Sequence, residues 1–500
     1  MSITGPGSIT AANLMAQNNM MTQLNTLSQE LGTGQAASTY SGLGSQAGLA
    51  VQLTAQLAQI GGYSNTASTV GTTMSIAQSV LTEIGSVGSS VQQAVSQQGA
   101  FTLNNNGQTA TQASAASYLD QILGLLNTQV GNNYLFSGSA TNQPSVASTD
   151  AILNGTSTQA GLAQVIADRL QADQGSNGMG RLTVGSGPAT TVTLASDGSP
   201  FGFQLAGVTS NLTGSTVTPP SGSPPTLSVD LGSNPNDGDT VSFGLTLPDG
   251  SSQTITLQAT VDSPPGTNQF TIGATPADTA TNLQAALTSA VSNLTQTALP
   301  AASAMAAANG FFSDPPQVVD GLPYDTATAL VAGTPANTVF WYTGENGATP
   351  ARQTATAQVG PAMTIAYGMR ATEPAITSLL ANVGVLAAAT YSASDPNAKA
   401  SYQALSQSVM ANLNGQSGTQ SIGDIEADIA NAQVMVQNAG TVNTQTQATL
   451  QDMLQGFEGI DQNKIGVSIL TLQNNLSASM SVTARLAQMS LVNYLAPVTG

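Results

Sequence analysis

Residues 465–495 read IGVSILTLQNNLSASMSVTARLAQMSLVNYL. Ile465, Ile469, Leu472 and Leu476 step by 4, 3 and 4, which places them on one face of a helix, and Val482, Leu486 and Met489 resume the stripe at steps of 4 and 3. The intervening positions are mostly Gln, Asn, Ser, Thr and Ala, with Arg485 the one charge and Lys464 just ahead. A solvated helix normally carries charged residues on its outer face. This segment does not, so it predicts a helix that something else covers. The first sixty residues offer a matching partner.

Working outward, the whole chain is poor in charge. Its 500 residues are too many for one hydrophobic core, so several domains are expected. Charged residues make up 6%, against about 25% in ordinary proteins, and Ser, Thr, Gln, Asn, Gly and Ala fill their places. Highly charged disorder is excluded by that figure. The formal net charge of −18 leaves no basic footprint for nucleic acid or for anionic lipid. Acids concentrate in the middle: fourteen lie between Asp150 and Glu345, whereas only Glu30, Glu83 and Asp120 precede Asp150. Neutral ends and an acidic middle predict covered ends and an exposed middle. With no Cys and no His, disulfides, thiolate metal sites and imidazole acid–base chemistry are ruled out. A cleavable secretion signal needs a basic stretch ahead of an apolar run, and the first basic residue is Arg169. The apolar segment from Leu379 to Tyr391 falls short of the roughly 20 residues of a membrane span and reads as a core helix, so no membrane insertion is expected.

In chain order, a helix is expected from Ile9 to Gln35, with Met20, Leu24, Leu27 and Leu31 on one face. A Gly- and Ser-rich loop from Tyr40 to Gly48 follows, then helix with Leu49, Leu53, Leu57 and Ile60, and a break at Gly61-Gly62. Val70, Met74, Ala77, Leu81, Ile84, Gly88, Val91 and Val95 alternate steps of 4 and 3 over about four heptads, the pattern of a coiled coil. Residues 104–107, Asn-Asn-Asn-Gly, mark a turn before a further helix around Leu119 to Val130. From Tyr134 the pattern turns to strands, Gly and Pro. Val241, Phe243, Leu245 and Leu247 alternate with polar or small residues, Pro248-Asp249-Gly250-Ser251 supplies a turn, and Ile255 and Leu257 restart the alternation: a hairpin. Short helices are interleaved at 162–170, around Leu283, Leu287 and Val291, and before Phe311. Helix returns from Pro374, with Ile422, Ile425, Ile429, Ala432, Val436 and Ala439 at steps of 3 and 4. The expected class is α+β: a long antiparallel coiled-coil bundle built from both termini, with an inserted β-rich outer region. The expected division is 1–62 and 461–500 as terminal assembly helices, 63–145 and 357–460 as coiled-coil helices, and 146–356 as the insertion.

Four segments give the chain a likeness. Residues 27–34, LSQELGTG, run on to Gly48-Leu49-Ala50. Residues 134–139 read YLFSGS and are followed by Gln143-Pro144. Gly238-Asp239-Thr240-Val241 pairs with residues 270–273, FTIG. Residues 484–491 read ARLAQMSL and end near Tyr494-Leu495. With these the chain resembles the bacterial flagellin family, including its hook–filament junction branch (hook-associated protein 3), which the YLFSG segment favours. It departs from the family pattern in a Pro-containing tail at 496–500 and in the sparse charge around Glu30. The resemblance implies a structural subunit of the flagellum, extracellular, exported unfolded through the flagellar type III apparatus without a cleaved signal, and needing no cofactor. It implies terminal helices that order on polymerisation into coiled-coil layers around a channel. Implied partners are copies of the chain, neighbouring axial proteins, the export apparatus and an export chaperone. The self-assembly residues are then the two terminal stripes, and the coiled-coil packing residues are those of 70–95 and of Ile422 to Val436.

Other chemistry is poorly supported. Asp237 and Asp239 begin something like a calcium loop, but no terminal bidentate Glu follows, so a turn before a strand is expected. Gly42, Gly44 and Gly48 lack the Lys of a phosphate loop, and neither Lys399 nor Lys464 has the spacing of a Ser–Lys pair. Asp424 and Asp428 share a helix face, with Glu426 nearby, and read as solvent- or subunit-facing. The chain is therefore expected not to be an enzyme. A competing expectation from another class is a secreted coiled-coil adhesin or translocator with a β-rich binding head.

Overall fold

The computed structural model describes residues 6–97, 101–415 and 418–494. The first two helices, α1 (Pro6–Thr33) and α2 (Ala47–Ser96), are joined through a 3₁₀ segment, Tyr40–Gln46. The break expected at Gly61-Gly62 is absent. Each glycine costs a helix about 1 kcal/mol relative to Ala. Ile60, Ala67 and Val70, buried along one face across that point, hold the helix through it. At 1.5 Å per residue, the 50 residues of α2 span roughly 75 Å. Then come α3 (Ala110–Leu126), β1 (Gln129–Val130), β2 (Asn133–Tyr134), α4 (Thr149–Asn154) and α5 (Leu162–Gln174).

Within the expected insertion, residues 182–271 form eight strands: β3 (Leu182–Ser186), β4 (Thr191–Ser196), β5 (Gln204–Ser210), β6 (Ser215–Ser221), β7 (Thr226–Leu231), β8 (Thr240–Thr246), β9 (Ser252–Thr260) and β10 (Gln269–Thr271). They form two four-stranded sheets, β3-β4-β7-β6 and β10-β9-β8-β5, in which only the β9–β10 pair is parallel. The strict alternation of β4, β7 and β8 sends every second residue inward, and register places Leu194 opposite Leu227 and Phe243 opposite Ile255. Between β8 and β9 the expected turn is present: Leu247 N–H donates to the Ser251 carbonyl, and Gly250 takes φ +84°, open to glycine at no cost. Helix α6 (Pro276–Gln296) adds Leu283, Leu287 and Val291 to the same core. Its start carries a reciprocal cap between Thr275 and Asp278.

The remainder is α7 (Ala298–Phe311), β11 (Gln317–Val319), β12 (Leu330–Ala332), β13 (Thr356–Gly360), β14 (Met363–Ala366), α8 (Pro374–Ala388), α9 (Ala398–Leu413), α10 (Ile422–Glu458) and α11 (Gln462–Tyr494). The segment expected as a core helix is α8, buried nearly all round from Leu379 to Ala387. The class is α+β.

Contacts separate two compact units. The first comprises 1–71, 357–365 and 434–500; the second comprises 72–356 and 366–433. In the second, Met74, Ala77, Leu81, Ile84, Val91 and Val95 of α2 and Ile425 and Ile429 of α10 are buried. There α2 meets α10 at Gly85, where an added Cβ would lie 3.8 Å from Ile422 Cγ2, and Thr82 Oγ1 donates to Glu426 at 2.8 Å. Gly88 leaves room for Leu379 of α8 in the way its small size predicts.

The second unit is fastened by arginines. Arg169 pairs with buried Asp173 at 2.8 Å, and both Arg169 and Arg181 lie over the ring of Phe201. Burial pushes the Asp173 carboxyl up, against the pull of Arg169 and of the Gly202 N–H. The YLFSG segment sits between two returning strands of chain: Phe136 is fully buried, its carbonyl accepts from Ala371 N–H, and Ser137 accepts from Glu345 N–H. Glu345 in turn pairs with Arg370 at 2.8 Å and accepts from Ser139 N–H. That N–H, with the arginine, holds its carboxyl below the usual glutamate range. Arg352 pairs with Glu373 and reaches Asp428 at 3.6 Å.

Candidate assembly surface

Helices α1 and α11 pack antiparallel. Gln17 Nε2 donates to Thr483 Oγ1 at 3.1 Å, and at the other end Ala36 N–H donates to the Glu458 carbonyl at 2.7 Å, beside a bridge between Gln35 and Gly459. Met20, Leu24 and Leu27 lie on the Gln17 face of α1 and are half-buried; Leu31, also on it, is 39% exposed. On α11 the matching face carries half-buried Ile465, Ile469, Leu472 and Leu486, and buried Leu476. Val482 departs from the expected stripe. It is exposed, and its place on the packed face is taken by Ser479 and Thr483, both within reach of Gln17. The side chain of Met489 lies outside the described residues, as does the tail from Leu495 to Gly500.

On α2, Leu53 and Ile60 are buried and Leu57 half-buried, while Leu49 is exposed and its neighbour Ala50 fully buried. Val436 on α10 is buried where α2 passes: an added Cβ on Gly71 would lie 3.7 Å from its Cγ1. Asn443, also buried, donates to the Val359 carbonyl and so ties the β13–β14 hairpin to α10.

A second set of apolar side chains on these helices is left uncovered by the described residues. On α11, Val467 and Leu470 are exposed by 63% and 62% and project opposite the packed face, and exposed Val482 lies about a quarter-turn from it. On α10, Met435, Val442 and Met453 recur at steps of 7 and 11, about a quarter-turn from the buried Val436–Asn443 face, and all are exposed. On α1, Leu14, Met15 and Met21 are exposed. The sequence reading recognised one stripe per helix. The step-7 repeat of Met435 and Val442 was the available signal for the second.

The polar residues between these side chains are already satisfied. Thr22 and Thr26 of α1, Thr441, Thr444, Thr446 and Thr449 of α10, and Ser468, Thr471, Ser481 and Thr483 of α11 each donate to the carbonyl four residues back. A hydroxyl bonded to its own helix adds little to the cost of drying that surface.

The sequence profile of the bacterial flagellin N-terminal helical region matches residues 7–141, from the first turns of α1 through α3 to just beyond the YLFSG segment. Over those residues, just over a quarter of its length, the chain is similar to bacterial flagellin. No curated protein matches it. Among its described residues no helix is long and apolar enough to cross a membrane. Asp237, Asp239 and Asp424 each hold backbone N–H groups. Asp239 accepts from Thr213 and Asn236 N–H groups, Asp237 from Val261 N–H, and Asp424 from Ser421 N–H at the head of α10. Each of these closes a turn or a helix start.

Proposed function

We propose that this chain is a structural subunit of the flagellin family that polymerises by laying the exposed second faces of α1, α10 and α11 against neighbouring copies. The observation that carries the reading is the Met435–Val442–Met453 row together with Val467 and Leu470: apolar side chains on helices whose first face is already occupied. Burying a side chain of this kind contributes about 1.5–3 kcal/mol. Several per subunit, repeated along a lattice, outweigh the loss of subunit freedom. On this reading the stripes of Met20 to Ile60 and Ile465 to Met489 hold α1, the start of α2 and α11 together, and their outer faces make the lattice. The coiled-coil residues Val70 to Val95 and Ile422 to Val436 stiffen the connection. The proposed partition is 1–62 and 461–500 for assembly, 63–145 and 357–460 for the coiled coil, and 146–356 as the outward region. Neighbouring axial proteins, the type III apparatus and an export chaperone are its proposed partners. Between main filament and hook–filament junction, the YLFSG segment favours the junction.

Electron microscopy of the purified chain, alone and after seeding, tests this. Hollow helical filaments from the chain alone fit a main-filament subunit; growth only on flagellar seeds fits a junction subunit. Stable small oligomers that never elongate, with binding retained by the isolated 150–356 region, would instead support the adhesin reading.

A further inference from the structure

The charge of the chain is divided very unevenly between its units. The first unit holds Glu30, Asp452, Glu458 and Asp461 against Lys464 and Arg485, a net of −2. The second therefore holds 25 − 4 = 21 acids and 7 − 2 = 5 bases, a net of −16. Nor are its bases available to offset charge on a neighbour. Arg169, Arg181, Arg352 and Arg370 are committed to Asp173, Asp197, Glu373 and Glu345, and three of these arginines are buried. Among the described residues Lys399, exposed on α9, is the one cation of that unit outside these pairs. Its surface is thus carboxylate with almost no counter-charge.

We infer that the second unit sets an ionic threshold for assembly: apolar faces on the first unit draw copies together, while the carboxylates of the second oppose it until salt screens them. This rests on the assembly proposed above. Polymerisation brings many copies of a −16 unit close together, and their repulsion reaches about 10 Å at 0.1 M salt but roughly 30 Å at 0.01 M. A hydrophobic contact between nearly neutral helices has no such dependence.

The test measures the critical concentration of the full chain by light scattering from about 10 to 300 mM NaCl, a range in which screening changes strongly. The expected result is a fall of roughly tenfold or more, with a shallower slope in the variant Asp262→Lys/Asp320→Lys. Both residues are exposed and neither accepts a hydrogen bond through its carboxylate, and the exchange moves the unit four charges towards neutral. A critical concentration that is flat or rises with salt, or a variant indistinguishable from the parent, overturns the inference while leaving assembly standing. Should no assembly occur at any ionic strength, the assembly reading fails and the second virial coefficient of the free chain decides the electrostatic one. Strongly positive values that fall with salt support it, and salt-independent values overturn it.

Discussion

Leu470 on α11 and Leu257 on β9 are the same side chain in opposite circumstances: the first is 62% exposed, the second fully buried. The contrast holds across the units to which they belong. In the second unit, two sheets and α6 close over a continuous core from Leu182 to Ala302, and its exposed large apolar side chains among the described residues are Val261, Leu322, Leu330 and Val331. In the first, each helix covers one face at least in part and leaves apolar residues exposed on another. Alternation with a period of two lets a sheet divide its residues between a wet and a dry side. A long helix with apolar residues on two faces needs cover on both sides, as α8 has. What distinguishes the units is therefore how much apolar surface the described residues leave uncovered: little in the second unit and more in the first.

Deleting 465–500 removes α11 and should have the largest effect. Filaments should vanish and far-UV helicity should fall, while the melting transition of the sheet region stays in place; filaments persisting after the deletion would break the contrast. Next comes Phe243→Ala, deep in the β8–β9 pairing, which should cost the second unit about 3–5 kcal/mol in urea denaturation. Leu470→Asp should do the reverse: leave the melting of the free subunit within about 0.5 kcal/mol, as expected of a surface site, yet raise the critical concentration about tenfold or more. Equal effects of these two substitutions on subunit stability would erase the distinction. The smallest effect concerns Glu345. Because its carboxyl is held below the ordinary value of 4.5, its contribution to stability is present above that pH and is lost as pH falls through the lower folded value. The stability difference between the parent and Glu345→Gln should accordingly shrink between pH 7 and pH 3, followed by urea midpoints.

Much of the helical layout was legible because its period is unambiguous: the 4–3 steps of 70–95 correspond to side chains that the fold buries. The β8–β9 hairpin was equally plain, with Asp249-Gly250 between two alternating runs. Other features were hidden for physical reasons. Gly61-Gly62 reads as a stop locally, but burial on either side overrides a cost of about 2 kcal/mol. Apart from Arg169 and Asp173, four apart on α5, the arginine pairs join residues such as Arg370 and Glu345 that only the returning chain brings together, and no spacing announces them. The second apolar face of α10 escaped notice because its members fall a heptad or more apart, beyond the 3–4 steps that mark a single stripe.

The threonines and serines that bond back to their own helices have a further consequence once the helix is gone. Extended, each of those hydroxyls turns from its carbonyl to water, and a chain with 6% charged residues gains a dense row of hydrated groups along its length. In the proposed polymer the same residues thus give a surface that dries cheaply, and in the unravelled chain one that stays wet. Replacing them with alanine would preserve the helices and take away the solubility of the chain before it folds.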